Sequence, residues 1–364
     1  MDPQDPNNKN NKNKLPEDPR DYFTEQEIKE MKWNMRYHLH GDVLFITFGV
    51  EEGLLLPCNP FIRLIFLCCL ARAIELHPVK LCHFLLEGTH AHLLLVVDNP
   101  EDVAGFMCRL KTETAHRINR ALDRPKRTVW EDGYDDPTVL SQACAILAAG
   151  YLYGNPAKDN LESIIESYPG TSSWELFAKG ETEMQCVWVS RNDIRPIPLE
   201  KQTSEGFQEE AAYLTARAER FITLKLHPDA LPESFGVTAQ AQKDAFKQRI
   251  EARVRRVEAR AERVRKTENK TVIGREVLLN QPFDLTYQPQ RRGQKSWCFT
   301  HSHSERKRFI AEKKNAILGA RVAYSEWKKG NTSLRYPDGM YAPCMPRMSN
   351  INVAERKKKF NIKV

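Results

Sequence analysis

The sequence predicts an α+β fold: a mostly antiparallel sheet with helices packed on one face, followed by a basic, mostly helical region. Three observations predict it. Two apolar runs, VKLCHFLLE (79–87) and HAHLLLVV (90–97), are separated by a short Gly-Thr link that suits a hairpin. Helical and strand periodicities alternate through the front half of the 364-residue chain. Residues 241–364 carry 30 Lys and Arg against 12 Asp and Glu, a surplus of 18, so residues 1–240 are net −11 within a whole-chain charge of +7.

The polar opening stretch, MDPQDPNNKNNKNKLPEDPR, has no apolar segment, so residues 1–30 read as a disordered tail and not as a signal peptide. DVLFITFGV (42–50) is rich in β-branched and aromatic residues and reads as a strand. Residues 60–76 read as a helix with Pro60 in its first turn. The two runs at 79–87 and 90–97 are strands. Residues 100–122 have acids in the first turn and Val103, Phe106, Met107 and Leu110 on one face, the mark of an amphipathic helix. TVWEDGYDD (128–136) reads as strand or loop, and 137–153 as a helix. The order β-α-β-β-α-β-α over residues 42–153 is a ferredoxin-like arrangement with one extra helix.

Residues 181–240 read as an irregular or helical connector. From 241 a long helix is predicted: Phe246, Ile250, Val254, Val257, Ala261 and Val264 form a narrow apolar stripe inside an arginine shell. A second basic helix is expected over 304–329, and ERKKKFNIKV ends the basic region 241–364. A 41% hydrophobic content suffices for one large domain or two ordinary ones. No run of eighteen apolar residues suggests a membrane span. Nine cysteines without a C-x-x-C pair suggest reduced, buried thiols of a cytosolic protein.

Two features carry chemistry. His90 and His92, in EGTHAHLLLVV, are two apart on a predicted strand, so both imidazoles point to one face and can converge on one metal ion. By themselves they also fit a pair of packed histidines. Ligand softness alone allows zinc. His38/His40 and His301/His303 repeat the spacing, the latter in a polar loop expected at the surface. In YLYGNP (151–156), Tyr151 and Asn155 are four apart and share a helix face, whereas Tyr153 lies about 200° round the helix from Tyr151. Pro156 is expected to end that helix. A tyrosine in an apolar helix with an Asn-Pro stop also fits a plain core role.

Together these motifs resemble the HUH-class single-tyrosine transposases, most closely the REP-associated tyrosine transposases, and the resemblance implies a catalytic domain over 36–180. THAHLLLVV is similar to that family's histidine–hydrophobic–histidine strand, YLYGNP to its Tyr-x-x-x-Asn-Pro helix, and SYPGTSSW (167–174) to its Tyr-Pro-x-Ser-Ser element; Trp130 falls at the family's tryptophan. Thr89 stands where the family has Asn, and WEDGYDD lacks its arginine.

The resemblance implies cleavage and rejoining of single-stranded or hairpin DNA by a cytoplasmic, nucleoid-associated bacterial enzyme, monomeric or homodimeric. It implies Tyr151 as nucleophile, forming a 5′-phosphotyrosine and a free 3′-hydroxyl. Mg²⁺ or Mn²⁺ would be held by His90, His92 and Asn155. The basic region supplies candidate phosphate contacts in Arg253, Arg256, Arg260, Arg263, Lys307 and Lys328, and Trp297, Phe299, Tyr324 and Trp327 are interleaved candidates for base stacking. The alternative is a DNA-binding protein that keeps the transposase fold and has lost turnover.

Overall fold

Strands without polar alternation decide the architecture. In the computed structural model, residues 19–51, 54–124, 128–284 and 296–343 are described. Along the chain run α1 (Glu25–Glu30), β1 (Val43–Gly49), α2 (Pro60–Leu76), β2 (Lys80–Leu86), β3 (His90–Val96) and α3 (Pro100–Ala121). There follow β4 (Thr138–Val139), α4 (Gln142–Lys158), β5 (Thr171–Ser172), α5 (Trp174–Lys179), β6 (Glu183–Val187) and α6 (Ser204–Ala216). The remainder comprises β7 (Phe221–Lys225), α7 (Ala230–Glu233), α8 (Gln240–Glu268), α9 (Arg275–Asn280), β8 (Cys298–Phe299) and α10 (His303–Lys328).

The chain divides into two units, residues 39–306 and residues 1–38 with 307–364. In the larger unit six strands form one sheet in the order β5-β2-β3-β1-β4-β8. Its pairings are antiparallel except for β4 with β8, so the sheet is mixed.

Helices cover both faces of this sheet, not one as expected. Leu44, Ile46, Phe48, Leu93 and Leu95 pack with α2 and α3, whereas Val43, Phe45, Leu94 and Val96 pack with α4, α5 and α8. The reason is legible in VLFITFG and HLLLV: each strand is apolar on both sides, and a strand of that kind needs two covering layers. Side-chain caps start the flanking helices: Asn59 accepts from Ile62 N, Asn99 from Glu101 N and Ser141 from Cys144 N.

Within the segment 181–240, read as an irregular or helical connector, lie β6, α6, β7 and α7. Strands β6 and β7 pair antiparallel, and Cys186, Phe207 and Leu224 are buried in the same core as α2. Its strands are short and separated by α6, so no hairpin signal marks them. The expected tail also shortens: residues 19–22 form a 3-10 turn and α1 has a capping box between Thr24 and Glu27. The first eighteen residues and the basic end at 355–364 lie outside the described residues.

In the smaller unit, α10 buries Phe309, Ile317 and Trp327. Phe309 meets Tyr37, Arg321 donates to Lys32 O, and His38 Nδ1 lies 2.7 Å from Tyr341 OH.

His83 on β2 is fully buried between Tyr153 and Phe177, and burial pushes its imidazole down to about 3. The unfolded chain therefore binds a proton near pH 6.5 that the folded chain refuses. Stability is fully present above about pH 6.5 and falls by about 1.4 kcal/mol per pH unit as pH drops toward the folded value. Urea midpoints measured from pH 7 to pH 4 should fall less steeply for His83→Asn than for the parent; equal slopes would contradict this assignment.

Candidate active site

Two glycines set the position of α4. Gly150 and Gly154 sit where α8 crosses: a Cβ at Gly154 would lie 2.5 Å from Val257 Cγ1, and one at Gly150 would collide with the Arg253 side chain. The i, i+4 spacing puts both on one face, so α8 approaches α4 through a groove that only glycine leaves open. The helix does not stop at Asn155 as expected. It continues through Pro156 to Lys158, and Arg265 of α8 donates to Ala157 O at 2.7 Å, holding a carbonyl of the last turn. Tertiary packing here overrides the bias against helix before proline.

On the opposite side α4 faces the sheet. β3 pairs with β1 so that Thr47 lies across from His92, and the two rings His90 and His92 point to the same side. Thr47 Oγ1 is 2.8 Å from His92 Nδ1, and Thr89 Oγ1 is 2.8 Å from His90 Nδ1. Fixed in this way, the two Nε2 atoms converge to 2.9 Å. Asn155, fully buried, brings its Nδ2 to 3.0 Å from His90 Nε2 and 3.3 Å from His92 Nε2.

Tyr151 is at the surface, 39% exposed, with its ring edge-on to His92 at 5.6 Å between centroids. Lys158 ties the helix face together: its Nζ donates to Tyr151 OH at 3.0 Å and to Asn155 Oδ1 at 2.8 Å. Burial opposes its charge, but the hydrogen bond to Tyr151 and the charge of Asp159 outweigh it and hold the ammonium above the usual lysine range. Tyr153, the rival phenol, is buried, bound to His83 Nδ1 and Ser173 Oγ, and burial pushes it well above ordinary tyrosine.

No family model matches this chain, and no curated protein sequence does. Among solved structures it is similar to one described as the structure of a REP-associated tyrosine transposase bound to a REP hairpin. Identity is 13%, 41% of this chain and 86% of that chain are covered, and the TM-score is 0.35.

Sequence reasoning missed a carboxylate. Glu87, three residues before His90, is buried, and its Oε2 is 3.8 Å from His90 Nε2 and 3.4 Å from Asn155 Nδ2. Desolvation first, then the charge of Asp159, raise it to about 8, against the pull of Lys158. Ligand atoms of Glu87, His90 and Asp159 lie within 4.8 Å of one another. Glu87 Oε1 is buried without a hydrogen-bond partner. An orphaned carboxylate oxygen beside two converging imidazole nitrogens is a donor set that fits a divalent cation. Asn155, as oriented, turns its amide nitrogen toward the imidazoles; a half-turn of the amide would present Oδ1 and release Lys158. Glu87 stands in the motif EGTHAH itself, but its burial depends on the chain folding back over it.

The expected DNA contacts differ in setting. Arg256, Arg260 and Arg263 are exposed on α8, while Arg253 lies half-buried against Gly150. In the smaller unit, Lys307 and Lys328 are exposed, the latter 4.5 Å above the Tyr324 ring. Trp327 is buried and donates to Leu334 O, so it is packed and not free to stack on a base. Trp130 is also a core residue, donating to Thr114 Oγ1. His301 is exposed, as read from the sequence. No described helix is long and apolar enough to cross a membrane.

Proposed function

We propose that this chain is a transposase-like enzyme that cleaves and rejoins single-stranded or hairpin DNA through Tyr151, on a ferredoxin-like catalytic core. One observation carries the reading: a solvent-reachable phenol and an inward-facing imidazole pair meet across one helix–sheet junction, joined by Asn155 and Lys158. His90, His92 and Glu87, with Asn155 after an amide turn, would hold Mg²⁺ or Mn²⁺, which when bound polarises a phosphate oxygen as a Lewis acid.

The chain's own residues do the rest. Thr47 and Thr89 fix both rings with Nε2 inward. Lys158, already protonated, cannot take the phenol's proton, so that proton leaves to water at the exposed edge of Tyr151. The ammonium then stabilises the charge that develops on the phenol oxygen. Attack forms the bond from Tyr151 oxygen to phosphorus and breaks the bond from phosphorus to the 3′ oxygen, which takes a proton from water as it leaves. The released 3′-hydroxyl can later reverse the step, so strands rejoin without ATP.

Incubation with a DNA hairpin bearing a single-stranded extension and Mn²⁺ should give an adduct that survives denaturant. Chelation and His92→Ala should each abolish it. An adduct indifferent to both, or none from a set of hairpins with randomised extensions, would overturn the proposal, and binding without an adduct would favour a protein that only holds DNA.

A further inference from the structure

One helical turn back from Tyr151 along α4, about 6 Å by helix rise, a cleft of about 330 Å³ opens between α4 and α8. Ala143, Ile146 and Leu147 form its apolar wall; Arg249, Arg253, Arg256 and His301 form its polar one. That size falls within the range of small-molecule sites, roughly 300–1,000 Å³.

Two arginines of α8 outside the cleft are engaged: Arg255 pairs with Glu166 and Glu258, and Arg265 holds Ala157 O. Arg260 and Arg263 continue the cleft's row beyond it and meet no carboxylate among the described residues, Arg263 donating to Ala259 O of its own helix. Among the described residues, Arg249 and Arg253 meet no carboxylate, and Arg256 donates only to Ala252 O of its own helix. Arg253 Nε is buried with no hydrogen-bond partner. Three guanidinium groups gathered without acids, one with a buried donor left over, are a site for an anion; planar guanidinium matches phosphate oxygens two at a time. The apolar wall beside them suits something flat and uncharged attached to that anion.

We propose that this cleft seats a single nucleotide of the bound strand, its phosphate on Arg249, Arg253 and Arg256 and its base along Ile146 and Leu147. The proposal rests on the reading that Tyr151 acts on DNA, and it deepens it. A separation of about 6 Å is one to two stacked nucleotides at about 3.4 Å each. The seated nucleotide therefore lies close along the strand to the phosphate that Tyr151 attacks, and the cleft helps choose which phosphate that is.

The test is equilibrium binding in the Tyr151→Phe protein, where no covalent step intervenes. The probe is a fluorescein-labelled DNA hairpin with a single-stranded extension, titrated at several salt concentrations. Arg249 and Ala143 are both exposed, so their variants should fold; thermal melts verify this. Arg249→Gln should weaken binding about tenfold and lower the salt slope by about 0.7, one single-strand phosphate contact. Ala143→Leu, which narrows the cleft without touching charge, should weaken binding about fivefold with the slope unchanged. Lys266→Gln, near the end of the same helix and paired with Glu262, should change affinity less than about twofold.

Binding by Ala143→Leu equal to the parent, or a Lys266→Gln loss as large as that of Arg249→Gln, would overturn the cleft in favour of a diffuse basic face. If these differences appear but the unmutated protein never forms an adduct, the cleavage reading fails and the cleft stands. The converse removes the cleft alone.

Discussion

Replacing Tyr151 by phenylalanine is expected to abolish the covalent DNA adduct outright, while Tyr153→Phe keeps it. The two phenols are two residues apart on α4, yet their surroundings are opposite. Tyr151 reaches solvent, stands beside His92 and accepts a hydrogen bond from a lysine held in its charged form. Tyr153 is sealed in the core with its hydroxyl between His83 and Ser173, and ionising it there would strand a charge away from water. Tyr153→Phe instead takes the partner from buried His83 Nδ1, while Ser173 Oγ keeps its bonds to Phe84, at a cost of about 1–3 kcal/mol in folding free energy. Denaturing gels of reactions with labelled hairpin DNA, alongside urea titrations, separate the two effects. Loss of the adduct in Tyr153→Phe at a urea concentration where that variant is folded would refute the assignment.

Gly154→Leu is expected to be among the most damaging single substitutions in the chain, destabilising it by about 3 kcal/mol. Even the first added carbon would meet Val257 at 2.5 Å, so the whole of α8 must retreat. Gly154→Ala poses the finer question. Helix propensity favours alanine by about 1 kcal/mol, whereas overpacking costs about 1–3 kcal/mol, and the contact falls on the side of overpacking because Val257 Cβ is also within 2.8 Å. The alanine variant should therefore be less stable than the parent. A urea midpoint at or above the parent's for Gly154→Leu would mean that the helices do not meet here.

Much of this was legible beforehand. The predicted spans of α2, α3, α8 and the three long strands agree with the structure to within a few residues, because each has strong periodicity and a marked start such as Asn59-Pro60 or Asn99-Pro100. The i, i+2 and i, i+4 spacings brought His90, His92, Tyr151 and Asn155 into one neighbourhood, since both follow from regular geometry. What escaped were features made by distant segments. Covering both sheet faces requires knowing that α8 packs on α4, and that contact depends on glycines, which leave no hydrophobic signature. The stripe on α8 was also misdrawn at its end: Val264 is exposed, because the buried row runs through Phe246, Ile250, Val254, Glu258 and Arg265, and Val264 sits about 100° round the helix from Arg265. Glu87 and Lys158 read as ordinary charges until the fold places one under the imidazoles and the other over the phenol. Residues 181–240 were missed because β6 and β7 pair across α6 instead of through a turn.

The pair of glycines in α4 leaves the arginine-bearing helix and the tyrosine-bearing helix no slack between them. A displacement of either is handed directly to the other, like two bars sharing a rivet. Under the proposed function, a ligand that tugs on the guanidinium groups would also shift the aim of the phenol, and grip and reactivity would be tuned by one mechanical joint.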